Sequence, residues 1–333
     1  MTGSEPLRRA TITEVAELAG VSHQTVSRYF RAPDGLKAAT KERVSAAVRE
    51  LNYRPNLVAR SMRTRRSGRL AVIVPTLAFS PARMLSGAMR TAHDAGFAVD
   101  VLSLDGDAAE RSDRLVELAD SGQIEGIVSF APLLPALDTA AAGIPVVTSG
   151  DFDDKMRSIG ELADAEPVRT LVLGLADLGH RRFLHVTGSL DFASARARRD
   201  TYLEAIAGAG LESVGVVEGD WSAESGRAAV LALDPESRPT AVIAANDVVA
   251  SGVIRGAAER GWTVPGDLSV TGWDDQPLGR YLFPSLTTVD IDLELLGART
   301  MRRLIVALRD DEVDIPTAPL TTVIWRESTG RVS

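Results

Sequence analysis

The 333-residue chain has no cysteine, few aromatic residues (5%) and only four histidines. Without thiols there is no disulfide framework and no thiolate metal site, a composition that fits a reducing compartment. No run of about 18 apolar residues occurs, so no membrane span is expected. The opening MTGSEPLRRATITEV has no apolar stretch after its arginines, so no secretory leader is expected either. Four catalytic or nucleotide signatures are also missing: GxSxG, HExxH, GxxxxGKS/T and GxGxxG. An enzyme would have to rely on Asp274-Asp275 or on one of His23, His93, His180 and His185. Nothing places those groups in a catalytic pattern, and the expectation is a non-enzyme with no cofactor and no metal.

Charge, by contrast, is present and uneven. The net charge is −8. Residues 1–69 carry 14 Lys/Arg against 6 Asp/Glu, a net of +8, and the remainder holds 23 against 39, a net of −16. A basic head on an acidic body is what a phosphate-binding module joined to a sensor should look like. Length allows two or three domains, and 45% apolar residues are ample for buried cores.

The chain is organised around Thr11–Arg31, TITEVAELAGVSHQTVSRYFR. Two short helices joined by a tight turn are expected. Thr13 is the expected cap of the first, Val15, Leu18 and Ala19 its apolar face, and Gly20 the left-handed turn residue. Ser22 is expected to cap the second helix, with Val26 and Tyr29 or Phe30 packing back. His23, Gln24, Thr25, Ser27 and Arg28 are left facing outward. Gln can bond adenine and Arg guanine in a bidentate manner, so this face suits a major groove. An ordinary helical hairpin with a solvated polar face is the plain alternative.

A third helix is expected from Thr40, as its cap, through TKERVSAAVRELNY, with Val44, Ala47, Val48 and Leu51 as its stripe. Arg54-Pro55-Asn56 then opens a basic segment, LVARSMRTRRSGR. It is short and weakly amphipathic, so it would order on a target or remain a solvated linker. Arg60, Arg63, Arg65 and Arg66 supply its charge, while Leu57 and Met62 are apolar tips able to wedge into a minor groove.

From Leu70 the pattern becomes alternating strands and helices. LAVIVP, FAVDVLSL, EGIVSF and IPVVTS are strands, with helices near 81–95, 108–121 and 134–142. A second set, RRFLHVTG, VGVVEGD, TAVIAAND and LSVTGWDD, has helices near 165–178, 193–209, 222–233 and 246–260. This predicts two doubly wound parallel sheets, hence two lobes with a cleft, and a ligand beyond the carboxyl ends of the strands. Ser194-Ala195-Arg196-Ala197-Arg198-Arg199, Trp221, Asn246-Asp247 and Trp273-Asp274-Asp275 follow the four strands of the second set. Guanidinium, amide and carboxylate bond paired hydroxyls, and an indole covers the apolar face of a pyranose. Each residue alone has a plainer role: Asn246-Asp247 could only cap a helix, and Asp275 could be a turn residue.

Residues 11–75 resemble the lactose-repressor (LacI/GalR) family, through TITEVAELAGVSHQTVSRYF and ERVSAAVRELNYRPNLVARSMRTRRSGRLAVIVP. The likeness continues through LGHRRFLHVTG, SARARR, GDWSAESG, AANDVVASG, VPGDLSVTGWDD and PSLTTV. It implies a helix-turn-helix domain over 9–55, a hinge helix and linker over 56–68, and a periplasmic-binding-protein-like effector and dimerisation domain over 69–333. The N-lobe would be about 69–160 plus 291–320, and the C-lobe about 161–290 plus 321–333. The resemblance implies that His23, Gln24 and Arg28 read bases. It implies further DNA contacts from Ser22, Thr25, Ser27, Tyr53 and Asn56, and from Ala59 and Met62 in a hinge helix at 56–63. Met62 stands where the family usually has Leu.

By the same resemblance, Arg198, Asn246 and Asp274 fall on effector-binding positions, and GDWSAESG makes Trp221 the sugar-stacking ring. Phe79 and Met84 are weaker candidates as lid contacts. The sequence departs from the family at Thr148-Ser149-Gly150-Asp151, and at Asp164–Pro167, where the usual Asp-Asn pair reads DAEP. That leaves the N-lobe half of the pocket unassigned. Further on, LELLGARTMRRLIVAL is expected as an amphipathic helix with Leu293, Leu296 and Leu304 on its apolar face. Crossings near 160, 290 and 321 are expected to form a three-strand hinge. The chain ends at Ser333 without the leucine heptad of the family's tetramers, so a homodimer is expected. Its partners would be pseudo-palindromic operator DNA and a small-molecule effector, expected to be a sugar, with no membrane. Its place would be the cytoplasm, at the nucleoid. The expected function is a repressor of carbohydrate-use genes released by a sugar. A purine-type corepressor-dependent regulator and a sugar-binding protein without DNA binding are the alternatives.

Overall fold

The computed structural model describes residues 10–31, 33–53, 66–74, 81–104, 106–134, 143–153, 155, 157–234, 236, 238–310 and 318–332. The chain divides into two compact units, Met1–Ser67 and Gly68–Ser333. Among the described residues no helix is long and apolar enough to cross a membrane.

The first unit holds three helices, α1 (Ile12–Ala19), α2 (His23–Arg31) and α3 (Ala38–Glu50). Val15, Ala16, Ala19, Val26, Val44 and Ala47 form its buried core, flanked by Tyr29, Phe30, Val48, Leu51 and Tyr53. Two expected caps are corrected. Thr11, not Thr13, caps α1, in a reciprocal box with Glu14. The acid three residues after Thr11 decides the start, because it bonds the cap's own backbone N–H. Thr40 lies inside α3, whose cap position is Lys37, with no side-chain cap bond. The expected hinge helix 56–63 lies outside the described residues.

The second unit contains two four-stranded parallel sheets. The first has β1 (Arg69–Val74), β2 (Ala98–Ser103), β3 (Gly126–Ser129) and β4 (Val146–Thr148), in the order β2-β1-β3-β4. The second has β5 (Arg182–Val186), β6 (Glu212–Val217), β7 (Ala241–Ala244) and β8 (Ser269–Thr271), in the order β6-β5-β7-β8. The central strands read as unbroken apolar runs because both of their faces are covered. Leu70, Val72 and Val74 of β1 enter one core with Met84, Ala88 and Ala92 of α4 (Ala82–Asp94). Ala71 and Ile73 enter another with Leu115 and Ala119 of α5 (Ala108–Asp120). In the second sheet Leu184 and Val186 face α8 (Ala223–Leu231) and α9 (Asp247–Glu259). Phe183 faces α6 (Glu166–Asp177) and α7 (Ala193–Gly208). The helix expected at 134–142 falls almost wholly outside the described residues.

Glycines let two helix pairs approach backbone to backbone. A Cβ on Gly87 of α4 would overlap the Glu294 carbonyl of α10 (Leu293–Arg309), and one on Gly297 would overlap that of Met84. Gly226 and Gly252 interlock α8 and α9 in the same way, against Val249 and Ala223.

Leu293, Leu296 and Leu304 face the first core as expected. The chain leaves the second lobe along β9 (Thr288–Ile291) and returns along β10 (Thr321–Ile324), which pair antiparallel. The third crossing is not a strand: Gly160–Ala163 is a 3-10 turn, with Leu162 in the first core and Val168 in a core of the second lobe. Arg299 of α10 grips that turn through Glu161.

Candidate functional site

In the helical head, Gly20 takes the left-handed conformation (φ 61°) that ends α1 and turns the chain into α2. The Ser22 hydroxyl accepts from the Thr25 backbone N–H at 3.2 Å, and the two hydroxyls lie 3.0 Å apart. Val26 is fully buried, which fixes the roll of α2. His23, Gln24 and Arg28 are therefore exposed, while Thr25 and Ser27 are half-buried beside them. The Arg28 guanidinium lies over Gly35, where a Cβ would come within 2.8 Å of Nη2. Tyr53 packs near Phe30, with ring centroids 5.8 Å apart, and burial raises its pKa. Asn56, Ala59 and Met62 lie outside the described residues.

The second sheet builds the other site at the carboxyl ends of its strands. Arg198 projects from α7 and is buried. Its guanidinium stacks 3.8 Å from the Trp273 ring centroid and donates to the Ala245 carbonyl at 2.6 Å. Stacking of this kind on a desolvated indole is worth about 2 kcal/mol. Burial pulls the Arg198 pKa down to about 10, and Asp274 opposes that pull. Asp274 itself is half-buried. Burial pushes its pKa up to about 7; Arg198 opposes the rise and Asp247 adds to it.

Backbone strain gathers at the same edge. Trp221, Asp274 and Asp275 have φ of 69°, 102° and 42°. Each such non-glycine residue costs about 1–3 kcal/mol, and such residues persist where surroundings over-determine them, typically at ligand sites. Asp274 is held by its N–H to the Val289 carbonyl at 2.8 Å. Trp221 lies edge-on to Phe192, with centroids 5.3 Å apart, and its ring covers Gly188, where any Cβ would collide with it. Arg157, from the segment after β4, reaches Phe192 at 5.6 Å and donates to the Asp191 carbonyl at 3.0 Å.

The structure thus sets Arg198 within electrostatic reach of Asp274 and places Trp221 beyond β6 at the same sheet edge. Asn246 also lies there, and its Oδ1 accepts from the Val249 N–H at 2.8 Å, capping α9. Met84, expected as a weaker lid candidate, is 3% exposed and packs in the first core on the stripe Met84, Ala88, Ala92. Phe79 lies outside the described residues. Trp273, Phe192 and Arg157 were not singled out from sequence. Trp273 had a signal, standing next to Asp274, but its contact with Arg198 joins residues 75 positions apart. Arg157 and Phe192 offered none. His180 and His185 are buried, their ring nitrogens 3.0 Å from the Gly330 carbonyl and 2.7 Å from that of Ile243. Among the described residues no cluster of three metal-ligating side chains occurs.

Comparison with known proteins agrees with both halves. Residues 11–56 match the model for bacterial regulatory proteins of the lacI family, and residues 172–329 the periplasmic binding protein-like domain. The lactose operon repressor of Escherichia coli (strain K12) is 31% identical, over 90% of this chain and 85% of that protein. The lac repressor dimer solved with operator and the anti-inducer ONPF superposes with a TM-score of 0.73 at 28% identity, over 97% of this chain and 100% of that one. The complex of the regulator CelR with cellobiose gives 0.59 at 28% identity, over 96% and 100%. Helix-turn-helix head, paired parallel sheets and full-length likeness together place this chain in the lacI family of bacterial regulatory proteins.

Proposed function

We propose that this regulator is a repressor that leaves its operator when a neutral sugar fills the second-lobe site. The observation that carries the reading is the Arg198–Asp274 pair at the ends of β7 and β8. A carboxylate and a guanidinium facing one site can bond neighbouring hydroxyls, and Trp221, beyond β6 at the same sheet edge, offers a ring face for a pyranose. The guanidinium is balanced by Asp274, with Asp247 adding negative charge nearby. That balance favours a neutral ligand over a phosphorylated one. A solved relative points the same way, the regulator CelR holding cellobiose.

In this reading His23, Gln24 and Arg28 read base edges, while Ser22, Thr25, Ser27 and Tyr53 set the head on the phosphates. Asn56, Ala59 and Met62 act in a hinge segment between half-sites. The protein works as a dimer in the cytoplasm, at the nucleoid, and is no enzyme. An exposed apolar group in the second lobe supports pairing: Leu278, Tyr281 and Phe283 are 69, 83 and 97% exposed. Ligand binds one lobe arrangement more tightly than the other, and that difference is the switch.

The test is a thermal-shift screen of mono- and disaccharides, with nucleobases and sugar phosphates beside them, followed by release of bound DNA. A neutral sugar that raises Tm and releases DNA is the expected result. A nucleobase or phosphorylated compound acting alone would replace this reading with corepression.

A further inference from the structure

Asp274 and Asp275 are adjacent in the chain but play different parts. Asp274 turns to the strand-end site, whereas the Asp275 side chain is 2% exposed. Its two oxygens receive Arg326 Nη2 at 2.5 Å and Arg280 Nη2 at 2.6 Å. Arg326 stands two residues beyond β10, and it also donates to the Leu286 carbonyl at 2.9 Å and, from its backbone N–H, to the Thr287 hydroxyl at 2.8 Å. The Asp275 N–H meets the Thr288 hydroxyl of β9 at 3.4 Å, and that hydroxyl donates to Asp247 at 2.6 Å. Asp247 in turn accepts from the Gln276 N–H at 2.7 Å. The Asp275 carboxylate thus ties the strained loop bearing Asp274 to the chain just beyond β10, and the Asp275 backbone N–H ties it to Thr288 of β9. Buried ion pairs add little net stability compared with apolar packing, but they fix geometry.

We infer that the Asp275–Arg326 pair is a positioning element, which makes the placement of Asp274 depend on the β9–β10 ribbon and the ribbon on the ligand. This rests on reading Asp274 as an effector contact. A ligand that grips Asp274 pulls on the loop, and the loop is tied at Asp275 to the return strand and at Val289 to the outgoing one. Arg280, on the exposed 3-10 turn, steadies the carboxylate without reaching the ribbon.

The experiment uses the full-length protein with cellobiose and o-nitrophenyl galactoside as probes, on a DNA site selected by the wild type from a random pool. Asp275→Asn keeps the shape and removes the charge. It is expected to raise the half-saturating sugar concentration for DNA release by about tenfold, within the usual range of coupling between sites, while ligand-free DNA affinity stays unchanged. Arg326→Lys, which keeps the charge but not the fork, is expected to raise it less. An unchanged half-saturation in Asp275→Asn, or an equal loss of ligand-free DNA affinity, overturns the inference. If neither probe acts on the wild type, the sugar reading falls, and amide exchange of Asp275→Asn decides the positioning role. Faster exchange at 272–276 and 288–291 together supports it; a change confined to 272–276 overturns it.

Discussion

The Arg198 guanidinium carbon sits over the Trp273 ring, 3.8 Å from its centroid, and one guanidinium N–H reaches the Ala245 carbonyl at 2.6 Å. Held over the ring and anchored at one N–H, the charge is aimed rather than merely present. Arg198→Lys keeps the charge and loses the plane. Sugar affinity is expected to fall by about tenfold or more, with a small change in Tm. Calorimetric titration checks this; equal affinity would mean that Arg198 only fills space.

Asp274 supplies the pH dependence. Its pKa is raised in the folded state, so its contribution to stability is fully present below the ordinary carboxylate range and is lost as pH rises through about 7. Ligand hydroxyls donating to the carboxylate need it ionised. Sugar affinity is therefore expected to rise between about pH 6 and about pH 8, while the contribution of this group to stability falls. Asp274→Asn should flatten both trends, measured as Kd and Tm against pH.

Gly252→Ala tests the interlocked helices. In an open helix the change would gain up to about 1 kcal/mol from propensity. Here the new methyl meets the Ala223 carbonyl, and a net loss of about 1–3 kcal/mol is expected. Urea unfolding of the wild type and variant checks the sign.

Gln24→Ala should erase preference at one base pair, worth about 1–3 kcal/mol, and leave the salt dependence of DNA binding almost unchanged. Competition binding on single-base variants of a selected site measures it. A uniform loss on all sequences would move Gln24 to the phosphate backbone.

The alternation of strands and helices was readable because both sheets are covered on both faces, so their central strands are unbroken apolar runs such as Leu70–Val74. That Trp221, Asn246 and Asp274 stand just beyond strands was readable from the same alternation, and parallel sheets put ligands at that edge. What escaped was decided in three dimensions. Asp275 looked like a turn residue, and only the fold sets it beside Arg326, 51 positions away. Thr13 and Thr40 are as good cap formers as Thr11; the choice between them was made by Glu14 and by the chain path into Lys37. Met84 looked available because it follows a strand end, yet its spacing to Ala88 and Ala92 turns it into the core.

The third crossing, a 3-10 turn instead of a strand, decides what kind of motion the body permits. Two hydrogen-bonded strands resist stretching along their length but yield readily to torsion, whereas a turn gripped by Arg299 acts as a tether at one side. The two lobes should then behave like a door on a single torsion bar with a check strap. The rotation axis is then expected along β9–β10, with the turn that Arg299 fastens to the first lobe as the side tether.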